Sequence, residues 1–373
     1  MTVQVVVVGG GYAGVMAANR LAGRSAGALE VVLVNERPEF VERIRLHEHA
    51  AGGRGLPTVP FARLLHPAVR LEVGRAVRVD AGGRLRLADR ELAFDHLVYA
   101  AGSTGRRGPG GAGEGAAERH DVATAESAAR ARERVAALPS GAAVLVRGAG
   151  HTGIELAAEL RGRRPDLAVH LLARDGVGRA LGTRGGEVVE ARLRRLGVSV
   201  HREERALPPV VLTVRADGFV GASLAADSGL PVDDTGRLLV AGDLRVPGHP
   251  RLVGAGDGVR VTGPAGAHLR MGCAVALPLG AHAADVVLAT VAGRPAERLD
   301  AGFALQCVSL GRGDGIIQVV RPDDTARAVR LRGRPAAAVK ELVCRQTLRW
   351  LAGEARRPGS FRWPAGPRDL ARR

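Results

Sequence analysis

The sequence predicts an α/β fold of two Rossmann-like domains, the first interrupted by the second, with a small C-terminal α+β region. Three observations carry this. "VVVVGGGYAGVMAANRL" at residues 5 to 21 is a strand, a glycine-rich turn and a helix. "VLVRGAGHTGIELAAEL" at 144 to 160 repeats that order, and the tail beyond residue 300 has a hairpin-like stretch and a helix of its own.

The elements follow in order. Residues 3–8 are an all-apolar strand; Gly9, Gly11 and Gly14 follow, then the helical spacing of Val15, Met16 and Leu21, then a second strand, "LEVVLV", at 29–34. "VRLEVGRAVRVD", "RLRLAD" and "ELAFDHLVYAAGS" read as short strands between turns, the last ending at Gly102. The glycine-rich patch 105–116 is read as a hinge and 122–138 as a helix. The strand-loop-helix-strand unit then recurs from Ala142 to Ala173, followed by a helix at 187–196 and strands at 197–201 and 210–214. Only residues 201–209 join those last two strands, where the first unit has room for a meander, so the second domain reads as trimmed. From Leu238 two short strands lead to Gly256-Asp257, and a helix starts near Met271. In the tail, "LQCVSLGRGDGIIQVV" reads as a hairpin and 336–357 as a helix with Val339, Leu342, Val343, Leu348 and Leu351 on one face. The expected domains are 1–118 with 237–300, an inserted 119–236, and a C-terminal region 301–373.

Composition narrows the function classes. At 373 residues, 46% hydrophobic and 25% charged, the chain can bury ordinary cores without disulfide staples. Its +16 formal charge is almost all arginine, Lys340 being the only lysine, and is scattered rather than gathered; with 3% aromatics for base stacking, no nucleic-acid partner is expected. Three distant cysteines, Cys273, Cys307 and Cys344, suit neither a disulfide scaffold nor a four-cysteine metal site, and no metal is expected. No secretory signal and no uninterrupted apolar stretch of about 18 residues is read; the nearest, 271–293, is broken by Pro278, His282 and Asp285, and a cytoplasmic location is expected.

The glycines have separate tasks: Gly9 makes the tight turn, Gly11 lets backbone approach a pyrophosphate, and Gly14 lets the helix sit close to the strand, with helix N-terminal amides facing the phosphates. Glu36, 22 residues after Gly14, is placed to accept from ribose hydroxyls. Gly148, Gly150 and Gly153 repeat the spacing, and Asp175 stands at the same offset beside Arg174. A carboxylate favours the free 2′-hydroxyl of NAD and a guanidinium the 2′-phosphate of NADP, so this pair is mixed, with NADH put slightly ahead. Asp257, at a strand end after Gly256, is read as a contact to a ribityl chain.

Taken together, "GGGYAG", "FDHLVYAAGS", "GAGHTGIELAAEL" and "HPRLVGAGDG" resemble the pyridine nucleotide-disulfide oxidoreductase superfamily over most of residues 3–293, and within it type II NADH dehydrogenases and related actinobacterial FAD-dependent oxidoreductases. The resemblance implies an FAD domain interrupted by an NAD(P)H domain, so each glycine loop would hold a different dinucleotide. It also implies flavin contacts from Tyr12, Ala13, Asn35, Arg43, Val77, Ala100, Ala101 and Gly102, with helix-start amides near Met271, Gly272 and Cys273 facing the flavin. Glu155 matches a family glutamate near the nicotinamide, and His47 and His49 fall where such chains approach the isoalloxazine, as acid-base or structural groups; Glu155 and His47 are taken as the catalytic candidates. Two departures stand out. No redox-active cysteine pair is seen, and the quinone-site glutamines are replaced in "CAVALP", where Ala274 and Pro278 stand. The expected activity is hydride transfer from NAD(P)H through FAD to a small, soluble organic acceptor. The alternatives are a flavin-dependent oxidase or dehydrogenase with a non-functional NAD(P)H domain, and a non-enzymatic redox-sensing flavoprotein. The C-terminal helix, edged by Lys340, Arg345 and Arg349 and carrying Trp350, could touch a membrane surface weakly. The oligomeric state is left open.

Overall fold

A computed structural model of the chain describes residues 2–106 and 118–368. Most of the glycine-rich patch read as a hinge therefore lies outside the described residues.

Two sheets are built on one plan. The first runs Arg245–Val246, His249–Gly254, His96–Tyr99, Val3–Val8, Leu29–Asn35, Val69–Val73, parallel except for its first pair. The second runs Glu118–Asp121, Leu212–Arg215, Ala143–Arg147, Ala168–Leu172, Ser199–His201, parallel throughout. In each, the strand before the glycine loop is central. Val5, Val6 and Val7 are wholly buried, so both faces of their strand are covered, and this is why these strands read as unbroken apolar runs rather than alternating ones. The chain leaves the first sheet along Ser103–Gly105 and returns along Phe219–Gly221, and these two crossovers pair antiparallel.

The spacers differ. Between Val69–Val73 and His96–Tyr99 the first unit inserts an antiparallel meander, Ala76–Asp80, Arg84–Leu87 and Glu91–Ala93. Between Ser199–His201 and Leu212–Arg215 the second has only the short turn Glu204–Ala206.

Several boundaries move. The helix expected at 187–196 begins at Gly182, the one expected near Met271 begins at Cys273, and three short strands precede Gly256 rather than two. A third strand, Ala326–Arg332, completes the C-terminal sheet with Leu305–Ser309 and Gly315–Val320.

Helix Cys273–Val291 (mean hydropathy 1.6) is long and apolar enough to cross a membrane, because averaging absorbs the polar breaks seen in its sequence; 72% of it is buried in the fold. It crosses helix Tyr12–Arg24 so closely that a Cβ at Gly280 would collide with the Ala13 carbonyl. Arg20 fixes the crossing with two 2.9 Å bonds to Asp285.

The C-terminal helix, Arg334–Arg356, keeps Leu351 of the expected apolar stripe buried and Val339, Val343 and Leu348 half-buried, but leaves Leu342 outside and adds polar residues to its inward face. Ala336, Cys344, Thr347, Leu351 and Glu354 are buried, while Leu342 is 54% and Trp350 37% exposed. Glu354 is fully buried because it has partners: Arg20 at 3.2 Å and the Phe361 amide at 2.8 Å.

Candidate functional site

The two glycine loops superimpose in their physics. The Gly9 amide donates to the Val34 carbonyl at 2.8 Å, and the Gly148 amide to that of Leu172 at 3.1 Å. Gly9 (φ +103°) and Gly148 (φ +106°) adopt backbone that L side chains rarely take, and a Cβ on either would strike the carbonyl of Ala100 or Ala216. A Cβ on Gly14 or Gly153 would strike the carbonyl of the preceding Gly9 or Gly148. Gly11 and Gly150 are different: nothing lies within 4 Å of a Cβ built there. Each unit thus keeps an open concavity at a helix N-terminus, where unpaired amides and the helix dipole suit a pyrophosphate. The residues present fit a dinucleotide in both.

Around the first loop, Asn35 uses its side chain on the backbone, accepting from the Gly10 amide at 2.8 Å and donating to the Arg37 carbonyl at 2.9 Å. Glu36 is exposed at the strand end. Tyr12 and Ala13 are buried at the start of the helix, Tyr12 edge-on to Phe40, and burial pushes its phenol well up. Ala100 is buried, Ala101 and Gly102 half-buried. Gly256 is held against Ala13, and Asp257 accepts from the Gly272 amide at 2.7 Å, so that amide of the helix entry is already taken. Burial raises the Asp257 carboxyl against the pull of Arg43, which itself donates to Ser103 and lies over Phe219. Met271 and Cys273 are half-buried beside it. Val77 is on the first meander strand, 38% exposed.

In the second unit, strand register changes the bookkeeping. Val8 pairs with Val34 and Arg147 with Leu172, so the residue two beyond Val34, Glu36, corresponds to Arg174. Equal sequence offsets point to Asp175, but the second unit is one residue shorter between helix and strand. Both Arg174 and Asp175 are exposed.

The densest chemistry lies where all regions meet. Glu155, on helix His151–Arg163, is buried with Lys340 Nζ at 3.0 Å, the Ser309 amide at 2.9 Å and His47 Nε2 at 3.7 Å. Burial alone would raise the Glu155 carboxyl; Lys340, His47 and the amide outweigh it and hold it below the usual range. Burial opposes the Lys340 charge too, but Glu155 outweighs it and the ammonium is held above the ordinary lysine range. Arg45 braces the same helix by a two-pronged bond to Glu341, 3.0 Å on each arm, and reaches Glu48 at 3.1 Å. Next to Glu155, burial and Arg270 push His151 down to about 4, so it is neutral at pH 7; its Nε2 meets Gln306 at 3.1 Å, and Gln306 donates to Asp324 at 2.9 Å. Burial pushes the thiol of Cys273 up to about 11, that of Cys344 up to about 12, and that of Cys307 up as well, while Lys340 pulls all three the other way. Cys344 is buried, whereas Cys307 is only half-buried and borders this cluster. His49 is structural, its Nδ1 3.0 Å from the Arg54 carbonyl.

The structure therefore joins Glu155 and His47, and adds Lys340, His151, Ser309 and Gln306, which sequence reasoning missed. In sequence Lys340 borders the helix's apolar stripe, yet its side chain is 16% exposed and turns in to Glu155. Its being the only lysine beside so many arginines was the one available signal.

Comparison with known proteins agrees with this architecture. The family model described as pyridine nucleotide-disulphide oxidoreductase matches residues 3–207. An NADH dehydrogenase-like protein of Mycobacterium tuberculosis is 29% identical over 91% of this chain and 92% of its own. A type II NADH:quinone oxidoreductase of Staphylococcus saprophyticus is 26% identical over 91% and 94%. Among solved structures, the sulfide:quinone oxidoreductase of Aquifex aeolicus superimposes with a TM-score of 0.78 at 17% identity, covering 94% of this chain and 92% of that one, a likeness of fold. With two dinucleotide loops of one geometry and a family match over more than half its length, the chain belongs to the pyridine nucleotide-disulphide oxidoreductase family, as a FAD-dependent NAD(P)H oxidoreductase.

Proposed function

We propose that the first loop holds FAD, the second NAD(P)H, and that the electron pair passes to a small, soluble, quinone-like acceptor without a cysteine relay. The carrying observation is the buried Glu155–Lys340 pair at the junction of the domains. Bound FAD supplies a centre that takes a hydride and gives up two electrons. The chain supplies the rest. Gly11 and Gly150 leave open space where the phosphates would sit, and the start of helix Cys273–Val291, tied to Asp257 through the Gly272 amide, would face the first site. Lys340, fixed by Glu155, keeps its charge in a dry setting and can donate a hydrogen bond to oxygen that becomes anionic on the acceptor. The raised thiols leave the cysteines protonated at neutral pH and poorly nucleophilic, which favours direct exit of electrons. Quinone chemistry is favoured by the staphylococcal relative; a soluble acceptor is favoured by Ala274 and Pro278 in place of the quinone-site glutamines. The open cradle at Gly150 speaks against a non-functional second domain. Steady-state oxidation of NADH with a short-chain quinone, run beside the same assay with a long-chain quinone in liposomes, tests this. Turnover with the soluble acceptor and no liposome binding is expected; turnover with the membrane quinone alone would refute the acceptor assignment.

A further inference from the structure

Across the carboxyl edge of the second sheet runs a chain of alternating charge with no counterpart at the matching described positions of the first. Asp217 accepts from Arg147 Nε at 3.0 Å; Arg147 pairs with Glu204; Glu204 pairs with Arg174. The matching positions in the first unit are Ala101, Val8 and Glu36, as the paired strands and the Ala100/Ala216 contacts of the two loops show. Glu204 alone has no equivalent, because it sits on the turn that replaces the meander. That turn leaves the end of Ser199–His201 and folds back over the neighbouring strand to reach Arg147 on the central one. Arg174 occupies the place of Glu36, the carboxylate expected to meet the ribose in the first unit, so by position the second unit carries a guanidinium instead of an acid. Such a site should favour a 2′-phosphate. Glu204 reverses this. It engages both guanidinium groups, and its carboxyl, held low chiefly by its bond to Arg174, is ionised at neutral pH.

We infer that Glu204 is the specificity-determining residue of the NAD(P)H site: it restores from a neighbouring loop the carboxylate missing from the strand end, and selects NADH over NADPH. A free 2′-hydroxyl can donate to it, whereas a 2′-phosphate dianion meets like charge and finds both arginines engaged. The inference rests on the second loop being the NAD(P)H site. It also explains why the trimmed spacer keeps one turn at that point.

The test is Glu204→Ala, with Glu204→Ala/Arg174→Ala as control, read first as binding of 2′,5′-ADP and ADP by calorimetry and then as kcat/KM for NADPH and NADH. Freed arginines should tighten 2′,5′-ADP by about tenfold, the scale of one charge-assisted phosphate contact. ADP should move less than about threefold, and the double variant should lose the gain. The NADPH-to-NADH ratio should shift in step. An unchanged preference in Glu204→Ala, or a wild-type protein that already prefers 2′,5′-ADP, overturns the inference while leaving the function intact. A wild-type protein that binds neither nucleotide overturns both.

Discussion

The two glycine-loop units share strand order, loop geometry and the same three glycine tasks, yet they diverge at the rim. In the first, the matching positions hold Val8, Ala101 and one exposed acid, Glu36, and the loop's polar neighbour Asn35 is consumed by backbone. In the second, Arg147, Asp217, Arg174 and Glu204 form a charged edge, and the meander is gone. On the proposed assignment, a shared loop geometry sets where phosphates lie and the rim selects the nucleotide. A rim with a single charge suits a resident cofactor, and a densely charged one suits a substrate that exchanges every turnover.

The largest expected effects break the comparison outright. Gly11→Val should yield a folded, colourless protein, and Gly150→Val a yellow one that neither NADH nor NADPH reduces, because a side chain at either position projects into open space and fills only the cradle. Absorbance at the flavin band and circular dichroism check both. Two variants with the same defect would show that the loops do not hold different nucleotides.

Next comes the junction. Lys340→Met should lower acceptor turnover by about 10²- to 10³-fold, the scale for losing one donor to a developing oxyanion, with FAD retained. It strands the Glu155 carboxylate, so thermal stability should drop by about 3–5 kcal/mol, and Glu155→Gln in the same background should recover part of this. Normal turnover in Lys340→Met would remove the pair from the acceptor site.

A smaller effect concerns pH. His151 is pushed down to about 4 when folded, against about 6.5 in an unfolded chain. Between those values the unfolded state binds more protons, so stability falls as pH falls, by at most about 1.4 kcal/mol per pH unit from this one group. Thermal melts from pH 7.5 to 4.5 should be less acid-sensitive in His151→Gln than in wild type; identical slopes would show that His151 is protonated in the fold.

Smallest is the effect of Asp175→Ala. Register places Arg174, not Asp175, opposite Glu36, so the NADH-to-NADPH ratio should move less than about threefold, within the range of an exposed charge. A larger fall in NADH use would return the ribose contact to Asp175.

Much of the fold was legible because its signals are local. Apolar runs such as Val5–Val8, the glycines of both loops and the missing meander all follow from near neighbours in sequence. What was not legible depends on register and on long-range pairing. Arg174 and Asp175 differ by one position, and only the strand partner of Arg147 tells which one matches Glu36. The C-terminal helix hides Lys340 and Glu354 among arginines and leaves Leu342 outside, since its inward face is chosen by Glu155 and Arg20, far away in the chain. Hydrophobic periodicity cannot see a face buried by charge pairing.

The central claim, that the second loop feeds electrons to a nucleotide on the first, is tested most directly by rapid anaerobic mixing of the purified yellow protein with NADH. Fast bleaching of the flavin band, with FAD released on denaturation and with the bleaching lost in Gly150→Val, is the result expected. A flavin that stays oxidised with both NADH and NADPH, in a protein shown to be folded and loaded with FAD, would contradict it.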